Sequence, residues 1–250
     1  MVELTGMTRE EVRAAARDGI ALLPIGSQEQ HADHLPMGTD TLLAEAVTDA
    51  ALERLDDAGP LLVRLPALPF GHSPHHLFAA AVSLSAPTLL AVLEDVLESL
   101  NHSGFRRMLL VNGHGGNDEI MRLAVKRFAL RADVAVGACS YWSLGDDPEA
   151  PGHAGRFETA LLLAAEPVLV REPAPRAAAD PPPLFDRPPF PGLTVERHGE
   201  WARVGGATDD ATRADAEAGA RLLERRAAAL AEAILAFDDA TKDSHGQGKP

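Results

Sequence analysis

Seven of the ten histidines lie in four short polar stretches between residues 26 and 159. These are GSQEQHADHLPMGTD (26–40), PFGHSPHH (69–76), NGHGGN (112–117) and PGHAGRFET (151–159). The first holds Glu29, His31, His34 and Asp40. Residues two apart share a face on a strand, and Glu29 and His31 can also converge from an irregular loop. Carboxylate with imidazole and no thiolate suits Zn²⁺, Mn²⁺ or Fe²⁺. Asp40 stands where a helix begins, so its own chemistry is open between metal ligation and helix capping. NGHGGN sets His114 among glycines. It lacks the Lys-Ser/Thr of a phosphate-binding loop and the G-x-G-x-x-G spacing, so its glycines serve close approach of backbone and imidazole to a site. PGHAGRFET offers His153, and it places Glu158 near a helix start, where the dipole already favours a carboxylate.

Each stretch follows an apolar run that reads as a strand. IALLPIG stops at Gly26, LLVRLPAL covers 61–68, RRMLLVNG covers 106–113, and DVAVGAC is the fourth. Between them lie helical segments. TREEVRAAARDG opens on the capping-box spacing of Thr8 and Glu11, TLLAEAVTDAALERL begins at Thr41, and PTLLAVLEDVLESLNHSG runs from Pro87 to Gly104. Further helices are expected over about 117–131, around ETALLLAAE, and over about 209–237. This alternation predicts a single α/β domain over 1–240, with a mostly parallel central sheet covered by helices on both faces. Ligands gather beyond the carboxyl ends of such strands, so the four polar stretches are expected to meet on one edge.

Eight of the nineteen prolines lie between positions 173 and 191, too dense for helix or central strand. We read 173–200 as a surface excursion and 241–250 as a disordered tail. Trp201 is expected to pack that excursion down, and Tyr141 and Trp142 to line a pocket or pack in the core. His102, His198 and His245 read as surface residues.

The chain has 250 residues, 37 acidic against 23 basic, for a net charge of −14. That balance argues against nucleic acid and anionic membrane as partners. No apolar run approaches the ~18 residues needed to span a bilayer. One cysteine excludes an internal disulfide and suits a reducing, cytoplasmic compartment.

Taken together, the motifs resemble the creatininase family of metal-dependent amidohydrolases. The resemblance is carried by E-x-H…H-L-P-x-G-T-D from Glu29 to Asp40, GHSPHH, NGHGGN, HAG-x-x-ET, and a later V-G-G-A-T…A-x-x-G-x-x-L segment. It implies a creatininase-like fold and two divalent metal ions per chain (Zn, Mn or Fe). Glu29 and His114 would hold one ion, His31 the other, and Asp40 would bridge them. Creatinine-hydrolysing members complete the second site with a glutamate where this chain has Gly116. Glu158 is the available replacement and is expected as the fifth ligand.

The implied reaction is hydrolysis of a non-peptide C–N bond, in a small cyclic or linear amide, by a metal-bridging hydroxide. His153 occupies the position for proton transfer to the leaving amine. His34 is expected as an orienter behind the ligands. Ser73 is expected to hydrogen-bond substrate, and His76 to do so from the rim. Gly115 replaces the tyrosine that creatinine-hydrolysing members set against substrate, and Pro151 an acidic residue, so creatinine itself is disfavoured. LFAAAVSLS after GHSPHH departs from the glycine- and proline-containing run of many relatives and is expected to reshape the pocket. The rival readings are a formamide hydrolase of flavin- or pyrimidine-precursor chemistry, a peptide-trimming relative, and a non-catalytic small-molecule binding protein. The resemblance also implies a homo-oligomer, with a hexamer favoured.

Overall fold

Five strands pair in parallel throughout, in the order β1-β3-β2-β4-β5. The computed structural model describes residues 2–55, 59–145 and 151–242. The strands are β1 (Val2–Glu3), β2 (Ile20–Ile25), β3 (Leu62–Arg64), β4 (Arg107–Asn112) and β5 (Ala135–Ser140). The helices are α1 (Arg9–Ala15), α2 (Thr39–Arg54), α3 (Ala86–His102), α4 (Asp118–Ala129), α5 (Arg156–Ala165), α6 (Glu200–Arg203) and α7 (Ala216–Thr241).

The central strands are apolar on both sides because both sides are covered. Ile20 and Leu22 of β2 pack with Leu43 of α2, Leu161 of α5 and Leu230 of α7. Ala21, Leu23 and Ile25, at the alternate positions, pack with Leu93 of α3 and Phe128 of α4. The chain leaves β2 for β3 through α2 on one face and returns to β4 through α3 on the other. The reversal places a topological switch point between β2 and β4, the usual ligand crevice in an open parallel sheet.

Local chemistry sets the helix ends. Thr8 and Glu11 form the expected capping box, with Thr8 N–H donating to Glu11 Oε2 at 2.7 Å. Ser85 caps α3 ahead of Pro87, and Gly104 follows that helix at φ +107°. Asp40 does not cap α2, because Gly38 holds that position and Asp40 lies inside the first turn, its carboxylate free for other partners. The last helix starts at Ala216 rather than Asp209, with Asp215 accepting from Ala218 N–H at 2.8 Å. Asp209 instead turns back and accepts from Arg156 N–H at 3.1 Å, at the start of α5. Thr241, expected as the start of a loose tail, is the last residue of α7. The rest of that tail, from 243 and including His245, lies outside the described residues. The proline-rich stretch forms no helix or strand between 173 and 191, and Phe185 stacks on Trp201 with ring centroids 3.9 Å apart.

Candidate metal centre

The loop after β2 runs directly into α2, and its backbone is held by the 80–82 segment. Gln30 N–H donates to the Ala80 carbonyl at 2.7 Å, and Val82 N–H to Gln28 at 2.8 Å. The LFAAAVSLS run therefore acts as a brace for the Glu29–His31 turn. The loop after β4 is folded by Asn112, which accepts from His114 N–H at 3.0 Å and donates to the His114 carbonyl at 2.7 Å. Asn117 ties three stretches together. Its amide donates to the Gly26 carbonyl at 3.0 Å and accepts from His72 N–H at 2.9 Å. The block before α5 is clasped from the far end of the chain, where Thr208 Oγ1 accepts from His153 N–H at 2.8 Å.

These braces bring Glu29, His31, Asp40, His114, His153 and Glu158 into one buried cluster. Asp40 lies between the two flanking groups: one carboxylate oxygen is 3.2 Å from His31 Nε2, the other 3.1 Å from His114 Nδ1. On the His114 side, Glu29 Oε2 is 3.3 Å from His114 Nε2. On the His31 side, Glu158 Oε2 is 3.7 Å from His31 Nε2. Glu158 Oε2 also accepts from Ala154 N–H at 2.6 Å, which fixes the carboxylate within the first turn of α5. His34 points away from the cluster and meets Thr159 Oγ1 at 2.9 Å, bracing the helix turn that carries Glu158.

Three carboxylates buried this way need positive charge. Burial lowers the pKa of His31, but Asp40, Glu158 and Glu29 more than offset it and raise the imidazole to about 10. His114 responds in the same way to burial, Glu29 and Asp40, and rises to about 9. Burial raises Glu158 to about 8. Burial also raises Glu29, while His114 and the Ser73 hydroxyl favour its ionised form. Asp40 is held low, because His31 and His114 outweigh its burial.

The protein's own partners satisfy these groups poorly. Glu29 Oε1, His31 Nε2, Asp40 Oδ2 and His76 Nε2 are buried and make no hydrogen bond of normal geometry. Glu29, His31 and Asp40 each offer one ligand atom within 4.8 Å of the others, and so do His31, His153 and Glu158. Oxygen and nitrogen donors, orphaned and convergent, fit divalent cations. At Gly116, where the family resemblance implies a glutamate, a side chain is shut out: a Cβ would stand 2.2 Å from the His72 carbonyl and 2.6 Å from His114 Nε2. Glu158 reaches the same region from α5.

His153 is oriented by backbone. Its Nε2 lies 2.8 Å from the Gln30 carbonyl, so Nε2 carries the hydrogen, and the lone pair on Nδ1 faces the cluster, 3.5 Å from Glu29 Oε1. Burial, then the nearby His31 and His76, keep this imidazole neutral.

His76 is a correction to the expected rim position. It is fully buried, its Nε2 3.4 Å from Glu29 Oε1 and its ring stacked on His153 at 4.1 Å. Ser73 is also fully buried and sits beside Glu29. His102 and His198 are exposed, as expected of surface residues.

The residues that sequence reasoning passed over are Gln30, His75 and the inner role of Trp201. Gln30 stands between two candidate ligands, and that adjacency was the available signal. The cluster opens into a cavity of about 490 Å³, whose walls include His75, Trp142 and Trp201. A larger cavity, about 750 Å³, lies behind the same loop beside His34, Arg171 and Arg176; none of Glu29, Asp40, His114 or Glu158 lines it.

Comparison with known proteins covers nearly the whole chain. The family described as creatininase, creatinine amidohydrolase, matches residues 5–234. The creatinine amidohydrolase of Pseudomonas putida is 32% identical over 249 residues, spanning 90% of this chain and 92% of that protein. The mycofactocin precursor peptide peptidase of Mycobacterium tuberculosis is 36% identical over 211 residues, 80% of this chain and 78% of the relative. A solved manganese creatininase superposes with a TM-score of 0.74 at 30% identity, covering 93% of this chain and 96% of its own.

Proposed function

The chain belongs to the creatininase family and is a metal-dependent amidohydrolase, and from that premise we propose that it cleaves a small cyclic or linear amide at a binuclear centre. The observation that carries the proposal is the two-sided setting of Asp40, with His31 on one oxygen and His114 on the other. Glu29 and His114 would hold one ion, His31 and Glu158 the other, and Asp40 both. Bound there, two divalent cations (Zn, Mn or Fe) would polarise the amide carbonyl and acidify a water at neutral pH.

The chain's own residues supply the rest. His153 Nδ1, the free basic atom facing the cluster, takes the proton of the attacking water and returns it to the leaving amine nitrogen, a transfer typically worth ~10²–10⁴-fold. Thr159, held by His34, steadies the turn carrying Glu158. Ser73 sits beside Glu29, where its hydroxyl favours the ionised carboxylate against the upward push of burial. Trp201, His75 and Trp142 wall the cavity, which has room for a small amide or the end of a peptide. Gly115 brings no side chain of its own next to His114, where the family resemblance implies a tyrosine set against creatinine, and this sets creatinine apart from the preferred substrates.

Peptide trimming is the second reading, supported by identity to the mycofactocin precursor peptidase over most of both chains. The same proposal extends to a homo-oligomer, with a hexamer favoured by the family resemblance, and to a cytoplasmic location. The buried, free Cys139 suits the latter. A hydrolysis screen of metal-loaded protein across cyclic amides, formamides and short peptides tests the reaction. Turnover of a small amide supports the first reading and cleavage of peptides alone the second. Turnover of none would sink both.

A further inference from the structure

Gln30 is buried and placed between His76 and His153, the two imidazoles that face Glu29 Oε1. Its side-chain orientation is fixed by its neighbours rather than chosen. Oε1 accepts from Ala32 N–H at 2.9 Å, at a residue held at φ +51°, and Nε2 donates to the Gly206 carbonyl at 2.9 Å. Flipping the amide would set a donor against a donor and an acceptor against an acceptor. The remaining Nε2 hydrogen is directed to His76 Nδ1, 2.8 Å away. His76 Nδ1 must therefore accept, so a neutral His76 carries its hydrogen on Nε2. That N–H is directed towards Glu29 Oε1 at 3.4 Å, an electrostatic contact longer than a formed hydrogen bond. The 3.0 Å approach of Gln30 Nε2 to His153 Nε2 carries no hydrogen bond, because His153 Nε2–H is already committed to the Gln30 carbonyl.

We infer that Gln30 is a positioning residue for the hydrolytic site, setting the tautomer of His76 so that its N–H orients Glu29 and its ring supports His153 by stacking. Neither effect involves contact between Gln30 and substrate. The inference rests on the assignments of Glu29 as a ligand and His153 as the proton carrier.

The side-chain amide is the only part of this arrangement that substitution removes, since the backbone carbonyl that orients His153 remains. In zinc-loaded full-length protein with nitrogen-15 in histidine, His76 should show a protonated Nε2 and an unprotonated Nδ1. Gln30→Leu should retain both ions, lose that single-tautomer signature, and lower kcat by about 10- to 100-fold with KM little changed. The double variant Gln30→Leu/His76→Ala should be no slower than His76→Ala alone, because the two residues act in series. An unchanged His76 signature with unchanged kcat, or fully additive losses in the double variant, would overturn the inference.

Should Gln30→Leu fail to fold, Gln30→Glu carries the test. It retains an acceptor for Ala32 N–H but offers His76 an acceptor, so the hydrogen should move to Nδ1 and kcat should again fall. A His76 left protonated at Nε2 in that variant overturns the inference. The imidazole spectrum is read without substrate. If wild-type protein holds both ions yet cleaves no amide, the reading of the reaction fails, while the tautomer assignment is still decided.

Discussion

Replacing Glu158 by glutamine removes one charge while keeping the side chain's shape. In the wild-type site, three carboxylates against two divalent cations leave a net charge of about +1. Glu158→Gln raises that to about +2 in a cluster with almost no exposure to water. At an effective dielectric near ~20, one unit-charge pair at ~4 Å is worth about 4 kcal/mol. At ~1.4 kcal/mol per decade, even that single-charge figure weakens the ion on the His31 side by about a thousandfold. The amide still accepts from Ala154 N–H, now at 2.6 Å, so the turn of α5 should persist.

The assay is metal content after equilibrium dialysis, with the free ion held at ~100 times the wild-type dissociation constant. The wild type should retain two ions per chain and the variant one. Loss of that site should forfeit about 2.7 kcal/mol of ligand-linked stability, which at ~2–4 °C per kcal/mol for a chain of this size is a fall in Tm of about 5–11 °C. Adding Gly116→Glu should not restore the ion, since a Cβ there meets the His72 carbonyl at 2.2 Å. Two tightly held ions in Glu158→Gln would refute the assignment of Glu158, and rescue by Gly116→Glu would refute the steric argument.

Other substitutions probe other links. His153→Ala should leave metal content unchanged and reduce turnover by about 10²–10⁴-fold, and an undiminished rate would remove it from proton transfer. Gly219→Ala should lower stability by about 1–3 kcal/mol by thermal or urea unfolding. Its Cβ would lie 1.8 Å from the Ala160 carbonyl between α7 and α5, outweighing the ~1 kcal/mol that alanine gains in a helix. Burial raises the Cys139 thiol to about 12, so a thiol reagent at pH 8 should modify it only as fast as the chain unfolds. Prompt modification of folded protein would contradict that burial.

The sheet and its helices are legible in the sequence where local signals agree with the final packing. β2 stops before Gly26 and β4 at Asn112, the capping box at Thr8 stands where the spacing puts it, and α3 starts at Ala86, one residue before Pro87. Convergence of the four polar stretches follows from the parallel topology alone. What escapes is set by partners distant in sequence. Asp209 reads locally as a helix start, yet it serves Arg156, 53 residues earlier. His76 follows a proline and another histidine, a rim-like context, and is buried only because Trp201 and His153 close around it. The two-residue β1 is too short to show any periodicity and is placed by its pairing with β3.

The clasp from 206–209 has a consequence for biogenesis. Gln30 reaches Gly206 across 176 positions, and His153 reaches Thr208 across 55. Contacts of such long sequence separation are costly to close and form late. A growing chain on the ribosome can pair β2 with β4 and begin to assemble ligands well before Thr208 has emerged. His153 and Glu158 would then lack their anchor, and only the Glu29–Asp40–His114 side would be ready for an ion. Loading is therefore expected to be sequential, with the second ion and hydrolytic competence arriving only after the C-terminal segment has docked.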